Sequence, residues 1–325
     1  MPPYKFLYTF TYDKHETGLS KLESKYIFDG EDEEKLLWSN KQVDPSISAF
    51  IKQRLKVIVS NSDYPTLIQE IKELDIHIEG FKVEYLVLEG DPTAYADRLT
   101  KLKDIGYRIE GNPDYYKPTI IYTLCNYRGT WCFGSMTKDK FDWYKHGKKP
   151  RSYSNSISPN IAKALVNIAT GSAREKTILD ACCGVGTIML EACFAGYDIE
   201  GCDINWKIVR NARVNLTHFG YETVVYRSDI KDIDKRYDAA IIDLPYNLLS
   251  QATDETTAHI IASTARIAQR LVIVSIVDIT EIIQNAGLRL LDTCGVGKRG
   301  KTGFERRVWV CESADFRAWL NGTGT

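Results

Sequence analysis

The stretch Leu179-Asp180-Ala181-Cys182-Cys183-Gly184-Val185-Gly186-Thr187 decides how the second half of this chain folds. Thr177–Cys182 reads as a buried strand, two glycines interrupt it, and Ile188–Phe194 resumes with helical spacing. Gly184 and Gly186 carry no Cβ, so the main chain there can approach a ligand closely. In α/β sheets ligands bind where strands end at their carboxyl side. Taken alone, such a turn is equally a plain tight turn.

Working outward, the pattern repeats. Strands are predicted at Ile199–Asp203, Val224–Asp229, Ala239–Asp243 and Leu271–Val277, with helical stretches such as Ile208–Phe219 between them. That alternation implies a parallel sheet covered by helices on both faces. Leu288–Cys294 and Arg307–Cys311 follow without an intervening helix, so they are expected to pair as a hairpin. A seven-stranded Rossmann-like α/β sheet with a terminal β-hairpin resembles the class I methyltransferase fold.

Two acids end strands in this sheet. Asp203 lies seventeen positions after Gly186, close to the spacing of a carboxylate that binds ribose hydroxyls. It could instead cap the helix that begins at Trp206. Asp229 ends the third strand, where it could accept from an adenine amine or be a solvated loop acid. A dehydrogenase would need the same arrangement, so these residues do not choose the chemistry.

The fourth strand runs into Asp243-Leu244-Pro245-Tyr246. This tetrapeptide resembles the Asp/Asn-Pro-Pro-aromatic signature of amino-group methyltransferases. An exocyclic base amine is a poor nucleophile because its lone pair is delocalised into the ring. A carboxylate accepting one N–H and a main-chain carbonyl accepting the other draw the nitrogen toward tetrahedral geometry. Leu244 keeps the carbonyl, Pro245 biases Leu244 toward extended backbone, and Tyr246 could stack on an extruded base. The bland alternative is a turn after a buried strand.

With these residues in hand, the chain is similar to the tRNA guanosine-10 N2-methyltransferases of archaea and eukaryotes. The resemblance runs from about Tyr153 to Cys311. It rests on Ser156-Ile157-Ser158-Pro159, Ala162 to Asn167, Asp180 to Gly186, Asp203-Ile204-Asn205 with Asn211 and Asn215, and Asp243 to Tyr246. It departs at Ala181, Leu244 and Asn247. The resemblance implies S-adenosylmethionine as cofactor, held by Asp180, Cys182, Gly184, Gly186, Thr187, Asp203, Ile204, Asp229 and Ile230. It places catalysis at Asp243, Leu244, Pro245 and Tyr246, with tRNA or another structured RNA as substrate. Upstream, Gly111-Asn112-Pro113-Asp114 and Phe133-Gly134 resemble the end of that family's RNA-binding THUMP domain.

At 325 residues the chain is long enough for two domains, expected at 1–150 and 151–325. The first is read as a smaller α+β unit, with strands at Lys5–Tyr12, Leu55–Ser60, Phe81–Leu88, Thr119–Cys125 and Thr130–Phe133. Thr66–Leu74 and Thr93–Leu102 carry helical spacing, and Ser158-Pro159 opens a helix as N-cap and first residue. Net charge is −1, which excludes a uniformly basic nucleic-acid coat and leaves local patches. Two are candidates, Lys138–Arg151 and the turn Lys298-Arg299-Gly300-Lys301 with Arg306 and Arg307. Trp131, Trp143 and Tyr144 could stack on bases, core packing being the better reading of Trp131.

No signal peptide or membrane-length apolar run is read, and the eight cysteines show no metal-binding spacing. A cytoplasmic protein without disulfides or structural metal is expected, and nothing points to a partner subunit. Three other functions compete: an adenine N6-methyltransferase acting on DNA or RNA, a catalytically inactive cofactor-binding module, and, more distantly, an oxidoreductase.

Overall fold

The computed structural model describes residues 5–153, 156–171, 173, 175–247, 250–251, 253–298 and 301–313, without the side chains of 246–251, 298 and 301–304. The chain forms two compact units, Met1–Thr11 with Asp32–Ser46 and Ile51–Lys140, and Tyr12–Glu31 with Ile47–Phe50 and Phe141–Thr325. The expected boundary at residue 150 therefore moves to 140/141, and two early segments join the second unit. One of them is helix α1 (Thr17–Phe28), which the sequence reading did not anticipate. Leu19, Leu22, Ile27 and Phe28 are its buried apolar residues.

The first unit is a six-stranded sheet. Its strands are β1 (Phe6–Phe10), β2 (Leu36–Ser39), β3 (Ile51–Asn61), β4 (Phe81–Tyr85), β5 (Ile120–Tyr127) and β6 (Thr130–Lys138), in the order β2-β1-β3-β6-β5-β4. Only β4 and β5 pair in parallel among these neighbours. In β3, Ile51, Gln53 and Leu55 point inward while Lys52 and Lys56 are exposed, the alternation of a half-covered strand. Helices α2 (Tyr64–Glu73) and α3 (Tyr95–Gly106) supply Leu67, Ile71 and Ile105 to a core with Phe81, Leu124 and Phe133. Asp63 caps α2 by accepting from Thr66 N at 3.0 Å. Trp131 packs on this core, edge to face with Tyr64, as read from the sequence.

Beyond α1, the second unit continues after the 3-10 helix Asp142–Lys148 with α4 (Pro159–Thr170). Then come β7 (Thr177–Asp180), α5 (Thr187–Phe194), β8 (Asp198–Asp203), α6 (Trp206–His218), β9 (Val225–Arg227) and β10 (Tyr237–Asp243). A short hairpin, β11 (Tyr246–Asn247) and β12 (Ser250–Gln251), precedes α7 (Asp254–Ile267), β13 (Ala268–Ser275), α8 (Thr280–Asn285), β14 (Leu288–Lys298) and β15 (Lys301–Ser313). The sheet order is β14-β15-β13-β10-β7-β8-β9, parallel except for the antiparallel contacts of β15 with β13 and β14. Leu271–Val274 are completely buried, as strands covered on both faces must be. The chain winds outward in one direction from β7 through β8 and in the other through β10. That switch point leaves a crevice at the carboxyl ends of β7 and β10.

Candidate functional site

The glycine turn sits in this crevice. Gly184 and Gly186 both have left-handed backbone, with φ of 52° and 78°. A Cβ on Gly184 would project into open space, its nearest heavy atom being Cys182 O at 4.0 Å. A Cβ on Gly186 would instead press on Ala212 Cβ at 3.3 Å. The two glycines thus do different things. Gly184 keeps a cradle empty, and Gly186 lets α6 close against the start of α5.

Asp203 ties the turn to the end of β8. Its Oδ2 accepts from Gly184 N at 3.2 Å and its Oδ1 from Asn205 N at 2.8 Å. The helix-cap alternative for Asp203 is displaced, because Asn205 caps α6 by accepting from Lys207 N at 3.0 Å. Burial raises the Asp203 pKa, while the two backbone amides favour its charged form.

A cavity of about 380 Å³ opens beside these groups. Cys182, Gly184, Thr187 and Asp203 line it on the glycine-turn side, and Asp243, Leu244 and Pro245 close it from β10. The sequence reading had named all seven. It did not name Tyr153, Ser156, Ile157 or Ile208 as site residues, although they also line the cavity. Ser156-Ile157 had been noticed only as a family-like stretch. Its signal was the polar strap leading into α4. The clamp that seats this strap is Asn215 of α6, which is completely buried. Asn215 bonds the main chain of Arg151 and of Val185, and Tyr153 Oη accepts from Asn211 Nδ2 at 2.8 Å.

The acids differ in state. Burial pushes the Asp243 carboxyl up to about 7, and the charge of Arg306 opposes that rise. Its Oδ1 is enclosed and has no hydrogen-bond partner among the described residues. Asp180 is completely buried, with neither carboxyl oxygen partnered among the described residues. Burial first, then the charges of Asp243 and Asp203, hold its pKa far above the usual range. Asp180 therefore backs the turn as a carboxyl whose neutral form is favoured by burial. It is not among the residues lining the cavity. Burial likewise keeps the thiols of Cys182 and Cys183 protonated, which removes them as nucleophiles.

Other predicted positions lie apart from the cavity lining. Asp229 accepts from Lys231 N at 3.1 Å and meets His259 Nε2 at 3.2 Å, capping a 3-10 turn. Ile230 belongs to the core and Ile204 is largely exposed. Tyr246 begins β11, but its side chain is outside the described residues.

The basic patches also change. Arg306 is buried, so it is not a surface phosphate ligand. Arg307 pairs with Asp278 at 2.9 Å. Arg299 and Gly300, and the side chains of Lys298 and Lys301, lie outside the described residues. In the connector, Lys149 and Trp143 are buried and Lys138 pairs with Glu84, leaving Lys140, Lys145, Lys148 and Arg151 exposed.

Whether S-adenosylmethionine fits can be judged from these groups. The cradle at Gly184 would be filled by a Cβ, and among the described lining residues there are two carboxylates and no Lys or Arg. Such a wall suits a ligand that carries a sulfonium and an ammonium. A parallel sheet with this strand order and terminal hairpin, and with this turn and crevice, defines a class I methyltransferase fold.

Residues 146–273 match the family described as UPF0020: RMKL-like, methyltransferase domain. The chain is 36% identical over 123 residues to a tRNA (guanine(10)-N2)-dimethyltransferase of Methanothermobacter thermautotrophicus, covering 37% of this chain and 36% of that protein. It is 26% identical over 227 residues to the enzyme of the same name from Methanocaldococcus jannaschii, covering 63% and 62%. TrmN from Thermus thermophilus superposes over 95% of this chain and 99% of its own at a TM-score of 0.47 and 15% identity. The chain spans from 36% to 62% of the length of the curated relatives it matches. The family match at residues 146–273 overlaps the stretch that carries the motif resemblance.

Proposed function

We propose that this chain transfers a methyl group from S-adenosylmethionine to an exocyclic base amine of RNA, guanine N2 in tRNA. The observation that carries this reading is the meeting of two motifs on one cavity: Gly184 and Asp203 on one wall, Asp243, Leu244 and Pro245 on the other. The names of the curated relatives support the choice of base and of tRNA.

When bound, S-adenosylmethionine supplies an electrophilic methyl on a sulfonium. Asp203 holds the ribose hydroxyls, and Gly184 leaves the space the cofactor occupies. Asp243 accepts one amine N–H and the Leu244 carbonyl accepts the other, so the nitrogen lone pair turns toward the methyl. Tyr246 supplies a face for the extruded base. The first unit, read as THUMP-like, binds the RNA body. A tRNA substrate also places the reaction in the cytoplasm, where reduced cysteines persist. Among the described residues no helix is long and apolar enough to cross a membrane.

The test is incubation of the purified chain with tRNA and labelled cofactor, then mass spectrometry of the nucleosides. N2-methylguanosine or its dimethylated form is expected. Label on adenine alone would transfer the protein to the adenine N6 class, and cofactor binding without transfer to any RNA would mark an inactive module.

A further inference from the structure

We infer that Arg306 is a positioning residue for Asp243, holding its enclosed carboxyl group in the charged form that accepts an amine hydrogen. This deepens the proposed function and rests on it for the role of Asp243.

The strand register brings the pair together. Asp243 of β10 is level with Val274 of β13, and Val274 is level with Val308 of β15. Paired residues share a face of the sheet, and residues two apart on a strand share it as well. Arg306 therefore rises from the face that carries Asp243. It stands one step beyond Val308, on the side where β10 runs into the Asp-Leu-Pro-Tyr turn. Its neighbour Arg307 takes the opposite face and is engaged by Asp278. Arg306 is only 6% exposed, so it is a cation inside the protein on the carboxyl-end side of the sheet.

The burial of Asp243 explains why a cation is needed. Asp180 lies on β7 beside it and Asp203 ends β8, while the neighbouring Cys182 is held as a neutral thiol. A carboxylate shut away from water takes up a proton more readily, and a protonated acid has lost acceptor capacity on one oxygen. Among the described residues, Arg306 is the group whose positive charge acts on Asp243. Guanidinium suits this place because it stays protonated when buried and presents several donors in a plane. The sequence disguises the role, since Arg306 belongs to a run that reads as a solvated basic hairpin.

The experiment follows the Asp243 carboxyl by NMR in protein carrying labelled aspartate, its signal assigned by its loss in Asp243→Asn. Parent, Arg306→Gln and Arg306→Lys are compared, with near-UV circular dichroism as a check on folding. Arg306→Gln should raise the Asp243 midpoint by about one pH unit or more. The acid limb of kcat should move with it, lowering kcat about fivefold or more at neutrality, with KM for the cofactor little changed. Arg306→Lys should restore most of the parent midpoint. Should Arg306→Gln not fold, Arg306→Met, whose unbranched stem fills the buried space without a charge, is read in its place, because a merely structural arginine predicts an unmoved midpoint and an unshifted pH profile in either neutral variant. An unmoved midpoint in folded Arg306→Gln, or Gln and Lys variants that titrate alike, would overturn the inference. The midpoint is read without RNA, so it answers even if no RNA is methylated, an outcome that would remove only the proposed function.

Discussion

Asn215 grips Arg151 on both sides of its residue. Its Oδ1 accepts from Arg151 N at 2.9 Å, and its Nδ2 donates to Arg151 O at 2.8 Å and to Val185 O at 2.9 Å. One buried amide thus ties the strap that carries Tyr153 and Ser156 to the loop that carries the glycines. Asn215 therefore sets the spacing of the strap and the glycine loop.

Asn215→Ala strands the buried Val185 carbonyl and frees the main chain of Arg151, a loss of about 1–3 kcal/mol. Part of that loss is expected in cofactor affinity, because the strap lines the cavity. Calorimetry should show binding of S-adenosylmethionine weakened about tenfold. Unchanged affinity in a folded Asn215→Ala protein would separate the clamp from the site.

The glycines allow a contrast. Gly184→Ala and Gly186→Ala each force a side chain into left-handed backbone, about 1–2 kcal/mol. At Gly184 the new methyl enters the cradle, so cofactor affinity should fall well beyond the change in stability. At Gly186 it presses on Ala212, so the larger effect should be on melting temperature. Equal effects of the two substitutions on both measurements would show that the cradle at Gly184 is not ligand space.

That division of labour could not be read from G-x-G alone, because it depends on what faces each glycine. The sheet was more legible. Long apolar runs such as Leu271–Val277 betray strands buried on both faces, and the missing helix before Arg307 gives the hairpin. What escapes the sequence is the partner that the fold brings to a side chain. Asp229 ends a strand as Asp203 does, and only the fold sets His259 against it. α1 was missed because three of its buried residues, Ser20, Glu23 and Ser24, are polar, which blurs its apolar stripe. Arg306 failed for the same reason as Asp229, since its place in the fold is fixed by strand pairing.

Glu23 offers a test through stability. It is completely buried on α1, where Ser48 Oγ donates to it at 2.5 Å and Asn167 Nδ2 at 2.6 Å. Burial raises its pKa to about 7. The folded state thus holds the proton more tightly than the unfolded chain. The contribution to stability is complete below about pH 4.5, the unfolded value, and is lost as pH rises through about 7. The span corresponds to roughly 3 kcal/mol. Glu23→Gln keeps the shape and removes the titration. Its melting temperature should exceed the parent's at pH 8 and not at pH 5, and equal differences at both would assign the charge state wrongly.

Asp243 joins geometry to chemistry most directly, since it is both a wall of the cavity and the end of the switch-point strand. Asp243→Asn preserves size and leaves an amide that can still accept, though without charge. Asp243→Ala removes the acceptor altogether. Loss of one preorganised acceptor lowers turnover about 10²–10³-fold, and the Ala variant is expected in that range with the Asn variant above it. Cofactor affinity should change far less, because Gly184 and Asp203 lie on the opposite wall. In the parent, burial holds the carboxyl at about 7. Only the ionised form accepts on both oxygens, so kcat should climb with pH through that value and then level. The climb should vanish in Asp243→Asn, where nothing titrates at that position. A pH profile through neutrality that is the same in parent and Asn variant would remove Asp243 from the reaction, whatever the fall in rate.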